Sequence, residues 1–272
     1  MPTPIRVLLS LYLTLFTALP SAAHEFWIDP HDFSIATDEP LIADLRVGQN
    51  FEGTALSYIE RNFTRFELAV GDSLQPVTGR LGDRPAVQIA AHPEGLGIVL
   101  YETTDSFVDY DDWSRFVSFV EHKAFPETLA RHAERGLPET GFTEVYTRHV
   151  KSLIAIGAGA GQDHAFGLRT EFVALANPYT DDLSAGFPVQ LLLDGAPRAN
   201  VQVELWDRAP DDSVTVTVHH TDDTGQATLP VQPGHVYMVD AVTMLETDPL
   251  IAPRNAVWMS LWAALTFAVP AR

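Results

Sequence analysis

Residues 189–205 run VQLLLDGAPRANVQVEL, and this stretch decides the fold class. Two short apolar segments flank Asp194-Gly195, a dipeptide typical of tight turns between antiparallel strands. Further short strands follow at similar spacing, at residues 214–220, 227–229 and 236–239, with turns at 223–225 and 232–234. Short, regularly spaced strands with turn residues between them indicate a β-sandwich.

The N-terminal half shows the same strand pattern with one helical interruption. Strands are predicted at residues 35–36, 41–47, 65–70, 96–103 and 145–156. Residues 113–120 place apolar side chains at helical spacing behind an acidic cluster at 109–112, which suits a helix N-terminus. A second short helix over 127–135 ends at Gly136. We therefore expect a helical insertion over residues 109–136, with His122 and His132 at the surface.

The N-terminus has the organisation of a secretory signal peptide. Arg6 precedes an apolar run at residues 7–16, and Ser21-Ala22-Ala23 supplies the small residues of a cleavage site. The other long apolar stretch, residues 256–269, is shorter than the roughly 20 residues that a membrane helix needs, and we expect a terminal strand there. The sequence thus predicts a signal peptide over residues 1–23 and a periplasmic mature protein that begins at His24, with no stable membrane anchor.

A glycine-alanine stretch, GAGAG at residues 157–161, divides the mature chain. We interpret it as a flexible linker, because the Lys-Ser/Thr of a phosphate-binding loop does not follow. The predicted organisation is an N-terminal β-sandwich domain over residues 24–160, which contains the helical insertion, and a C-terminal β-sandwich domain over residues 166–272.

Composition restricts both partners and metal ligands. The formal net charge is −19, which makes nucleic acid an unfavourable partner because both would be negatively charged. The chain contains no cysteine, so it can form neither disulfides nor thiolate metal sites. Any metal ion would have to bind to histidine, carboxylate or amine ligands.

Several segments carry a family resemblance: AHEFWIDP at residues 23–30, LRVG at 45–48 with FEG at 51–53, YTRHVKSL at 146–153, GL at 167–168 leading to NPY at 177–179, and WMSLWAALTF at 258–267. This ordered set resembles a family of exported proteins described as the periplasmic component of cobalt/nickel uptake systems. Many of its members are known only as a domain of unknown function.

The resemblance implies a mainly β protein with two immunoglobulin/prealbumin-like β-sandwich domains and a bound divalent transition metal (Ni, Co or Cu). It also implies a membrane metal-transporter component as a partner. Two positions depart from the family pattern. Relatives often carry histidine where this chain has Gln49, and a His-Met pair where it has Thr243-Met244.

His24 is the first candidate for a metal ligand. As the first residue of the mature chain, it would offer a free α-amine and an imidazole to one metal ion, and nitrogen ligands suit Cu, Ni, Co and Zn. His149 lies in a strand within a segment of the family resemblance, and we rank it as the second ligand. His31 follows Pro30 and is the third candidate.

Three functions remain open. The first is a periplasmic divalent transition-metal-binding protein, accessory to nickel or cobalt uptake. The second is a copper-dependent oxidative enzyme with an N-terminal histidine site, and the third is a metal-free envelope scaffold or adhesion module. No Gly-x-Ser-x-Gly or His-Glu-x-x-His motif occurs, so no catalytic residue is assigned and we expect a protein that is not an enzyme.

Overall fold

The structure is a computed structural model that describes residues 24–271, so the predicted signal peptide lies outside the described residues. The predicted mainly β class is confirmed. The strands are β1 (Glu25–Pro30), β2 (Ser34–Ile35), β3 (Leu41–Gln49), β4 (Glu52–Leu56), β5 (Phe63–Val70), β6 (Ser73–Pro76), β7 (Val87–Ile89), β8 (Gly95–Thr103), β9 (Ser106–Tyr110), β10 (Phe142–Ile156), β11 (Thr170–Ala174), β12 (Phe187–Leu193), β13 (Ala196–Pro197), β14 (Gln202–Arg208), β15 (Val214–His220), β16 (Gln226–Leu229), β17 (Val236–Glu246) and β18 (Trp258–Ala268). Two α-helices, α1 (Trp113–His122) and α2 (Thr128–Glu134), form the predicted helical insertion, and short 3₁₀ turns lie at Glu60–Asn62 and Pro253–Asn255.

Three sheets form the fold. The central sheet has ten strands in the order β15-β14-β17-β18-β10-β8-β5-β6, with β2 and β9 also paired to β10. One outer sheet has the order β1-β3-β4, with β7 on β3, and the other has the order β11-β12-β13, with β16 on β12.

The two outer sheets cover opposite faces of the central sheet. Val150 and Ile154 of β10 pack with β1 and β3, in the same core as Phe26. Leu153 of the same strand belongs to the other core, with Phe187 of β12. Successive side chains of a strand point to opposite faces, so β10 contributes to both cores and is buried along most of its length.

One pairing joins the two halves of the chain. β10 and β18 run parallel, with Arg148 opposite Trp262 and His149 opposite Ala263. The central sheet therefore crosses the boundary between the predicted domains 24–160 and 166–272, and that division stays a prediction.

The glycine-alanine stretch after β10 is held in place. The side-chain amide of Asn177 donates hydrogen bonds to the carbonyl oxygens of Gly159 and Gly161, and Leu96 donates its backbone N–H to Ala160. The prediction of a flexible linker is wrong here. The backbone groups of a flexible linker bond to water, whereas these carbonyl oxygens accept hydrogen bonds from Asn177 and Leu96.

The helical insertion begins where its sequence predicts. The carboxylate of Asp112 accepts a hydrogen bond from the backbone N–H of Ser114 and caps α1. The side chains of Phe116, Phe119 and Val120 are buried, so α1 packs against the rest of the protein through this face. Among residues 24–271, no helix is long and apolar enough to cross a membrane.

Candidate functional site

A buried lysine lies among three carboxylates where α1, β1 and the central sheet meet. Lys123 follows the last residue of α1, and its Nζ is 2.5 Å from Glu204, 2.9 Å from Asp240 and 3.4 Å from Glu25. Glu204 and Asp240 are directly opposite each other on β14 and β17, and Glu25 is the first residue of β1. All four side chains are at most 4% exposed.

The charges in this cluster are unevenly balanced. Burial raises the pKa of Glu25 to about 7, against the opposing effect of Lys123. Burial also raises the pKa of Asp240. For Glu204, burial is outweighed by the hydrogen bond from His122 and by the charge of Lys123, so its pKa is lowered. The cluster therefore holds one lysine cation, one ionised carboxylate and two carboxyl groups that resist ionisation.

A set of metal-ligand atoms lies at the outer side of this cluster. Glu25, His122 and Glu204 each offer one atom, and these three atoms lie within 4.8 Å of one another. His122 is half-exposed and its Nε2 is 3.0 Å from Glu204 Oε1, which raises the pKa of His122. The Oε2 atom of Glu25 is buried without a hydrogen-bond partner. An unpaired buried acceptor is costly, and a cation beside it would remove that cost.

The three histidines predicted from the sequence lie apart. His24 is exposed, and its carbonyl oxygen accepts a hydrogen bond from Arg148 Nη2 at 3.0 Å. His31 lies beyond the far end of β1, roughly 20 Å of extended chain from His24, and its Nε2 is 3.4 Å from Asp44.

His149 is on the other face of the central sheet. Arg148 points toward His24, so the next side chain along β10 points away from it. His149 is 2% exposed and its Nε2 is 3.5 Å from Glu102 on β8. The structure therefore does not bring His149 or His31 to His24, and the side chain that bonds to His24 is that of Arg148.

Sequence reasoning missed Glu25, His122 and Glu204 as a set. His132, predicted at the surface with His122, is buried and accepts a hydrogen bond from Trp258 Nε1. Glu204 occupies an alternating polar position of a strand, which usually faces solvent. One available signal was the scarcity of lysine: Lys123 and Lys151 are the only two, and both are buried beside carboxylates.

A cavity of about 490 Å³ adjoins the cluster. It lies between the start of β1, the β8–β9 turn, α1 and the central sheet, and His24 is at its border. Trp262 lies between the cavity and the Lys123 cluster, because it lines the cavity and its ring centroid is 5.0 Å from Lys123 Nζ.

Comparison with known proteins identifies a family for this chain. No curated protein matches the chain. The family model described as "Domain of unknown function (DUF4198)" matches residues 21–245, a span that includes Glu25, His122 and Glu204. The match covers well over half of the chain, and the protein therefore belongs to the DUF4198 family.

Proposed function

We propose that the processed protein binds a divalent transition-metal ion at Glu25, His122 and Glu204, and that it acts in the periplasm as an accessory to nickel or cobalt uptake. The observation that carries the metal site is the convergence of three ligand atoms within 4.8 Å, one of the groups being a buried carboxylate with an unpartnered oxygen. One imidazole and two carboxylates are ligands that divalent transition metals accept.

Lys123 positions the carboxylates for this role. It bonds to Oε1 of Glu25 and Oε2 of Glu204. The other oxygens remain for a second cation: Oε2 of Glu25 has no partner, and Oε1 of Glu204 faces His122. A resident ammonium group also weakens the attraction for that cation, which suits a protein that has to pass its ion to a partner.

Processing before His24 would add nitrogen ligands next to this set. The new α-amine and the imidazole of His24 would lie one residue from Glu25. An added amine and imidazole favour nickel, cobalt or copper over magnesium or calcium. The partner implied by the family resemblance is a membrane metal-transporter component, which would receive the ion.

Removal of one ligand should weaken metal binding without unfolding the protein. We expect Glu25→Gln, His122→Asn and Glu204→Gln each to lower the affinity for Ni²⁺ or Co²⁺ by more than about tenfold, since loss of even an outer-shell partner costs that much. The measurement is isothermal titration calorimetry on protein that begins at His24.

His220→Asn is the matched control, because His220 lies on an exposed position of the edge strand β15. His149→Asn should also bind metal like the wild type, because that side chain faces the other way. An extra alanine before His24 should weaken binding by displacing the amine. Wild-type affinity in both Glu25→Gln and His122→Asn would refute the proposed site.

Metal binding should depend on pH near neutrality. Glu25 has a pKa raised to about 7, and His122 has a pKa raised by Glu204, so both lose protons when they bind a metal. We expect affinity to fall at least about tenfold per pH unit below pH 7, with about one to two protons released per ion. Calorimetry in buffers of different ionisation enthalpy counts these protons. Equal affinity at about pH 6 and about pH 8 would contradict this assignment.

A further inference from the structure

The cavity beside the Lys123 cluster contains an arginine that forms no salt bridge within the described part of the chain. Arg148 lines this cavity, and within residues 24–271 no carboxylate lies within salt-bridge distance of it. Its guanidinium group donates one side-chain hydrogen bond, from Nη2 to the carbonyl oxygen of His24 at 3.0 Å, and its Nε is buried without a partner. Other partly buried arginines of this protein, such as Arg46 and Arg65, are paired with carboxylates.

Aromatic rings surround this guanidinium group. The ring centroids of Tyr146, Phe26 and Trp262 lie 4.8, 5.6 and 6.0 Å from Arg148 Cζ. Such contacts to ring faces stabilise the cation, but they are not hydrogen bonds to its N–H groups. The site therefore has an oriented cation whose buried Nε still lacks an acceptor.

The other charged groups on the cavity wall do not neutralise it. Arg115 also lines the cavity, and among the described residues it forms no salt bridge. Glu144 faces the cavity, but burial raises its pKa to about 7, and its two oxygens accept hydrogen bonds from Tyr110 and Ser260. Asp105 lies at the exposed rim.

We propose that this cavity binds a small organic carboxylate, with the carboxylate on Arg148 and a flat apolar body against the rings of Tyr146, Phe26 and Trp262. The planar guanidinium group matches a carboxylate in shape and charge. A volume of about 490 Å³ lies within the range of small-molecule sites, and the mixed aromatic and hydroxyl lining is typical of them. The site does not depend on the proposed metal function.

Calorimetry with phenylacetate and its neutral isostere phenylacetamide tests this site on metal-free protein that begins at His24. Because a hydrogen bond to a charged group is stronger than one to a neutral group, we expect phenylacetate to bind about 10–150-fold more tightly than the amide. Arg148→Gln should abolish this preference. Arg80→Gln is the matched control, since the Arg80 side chain is 94% exposed and lies outside the cavity wall, and it should leave phenylacetate binding intact.

A second measurement covers the case in which Arg148→Gln fails to fold. In the wild-type protein, phenylacetate should shift the NMR resonances of the Arg148 side chain and the Trp262 indole N–H. Equal binding of phenylacetate and phenylacetamide, absence of these shifts, or stronger binding of inorganic phosphate than of phenylacetate would each overturn the proposal.

Discussion

Lys123→Met should destabilise the protein by about 3–5 kcal/mol at neutral pH, because it leaves buried carboxyl groups without their cation. Lys123 is 4% exposed, and its Nζ is the common partner of Glu25, Glu204 and Asp240. Methionine has a similar length and fills the same space, so the effect reports the charge. Urea denaturation followed by tryptophan fluorescence gives the free energy of unfolding.

The destabilisation of Lys123→Met should grow with pH. Without the ammonium group, the pKa values of Glu25 and Asp240 in the folded protein rise further above their values in the unfolded chain, because Lys123 lowers both. When the pKa of a carboxyl group is higher in the folded protein than in the unfolded chain, the free energy of unfolding falls as pH rises through the folded pKa. The reason is that the unfolded state binds fewer protons than the folded state in this range. We therefore expect a larger loss at about pH 8 than at about pH 5.

Two further comparisons make this test specific. Arg80→Met removes a cation whose side chain is 94% exposed, and it should leave stability nearly unchanged. Ni²⁺ should restore part of the stability lost in Lys123→Met, because the metal would supply the missing positive charge and stabilise the folded state by mass action. A Lys123→Met protein as stable as the wild type at about pH 8 would show that the cluster is hydrated rather than buried.

Lys151→Met should lower the free energy of unfolding by about 3–5 kcal/mol, because it too leaves buried carboxylates without their cation. Lys151 on β10 is 1% exposed, and its Nζ is 2.6 Å from Asp163 and 3.2 Å from Glu171. It also donates to the carbonyl oxygen of His164 at 3.2 Å. These bonds tie the segment after the glycine-alanine stretch to the central sheet.

Loss of this connection should be visible locally as well as globally. In Lys151→Met we expect faster proteolysis between residues 158 and 169, in addition to the lower free energy of unfolding. Arg169→Met is the matched control, because Arg169 is 42% exposed and its ion pair with Asp194 is at the surface. If segment 158–169 resists proteolysis in Lys151→Met as it does in the wild type, backbone hydrogen bonds alone hold it.

Local sequence patterns predicted the secondary structure well. The strand predicted over residues 145–156 corresponds to β10, and the last apolar stretch is a strand, β18, rather than a helix. Asp112 caps α1 as the acidic cluster suggested. These features depend on side-chain alternation, turn residues and helix capping, which act between residues close in sequence.

The site depended on long-range contacts that no local pattern contains. Glu25, His122 and Glu204 come from a strand, a helix end and a distant strand. A polar residue in an alternating strand normally faces water, but Glu204 is covered by the end of α1 and by β1.

The sequence by itself determined the strands, the helical insertion and the position of His24 at a predicted cleavage site. Only the tertiary structure decided that Glu25 meets His122 and Glu204, and that His149 faces the opposite side of the central sheet from Arg148. The physical reason is that alternation tells which side chains share a face of a strand, whereas packing of the sheets and α1 decides what covers each face.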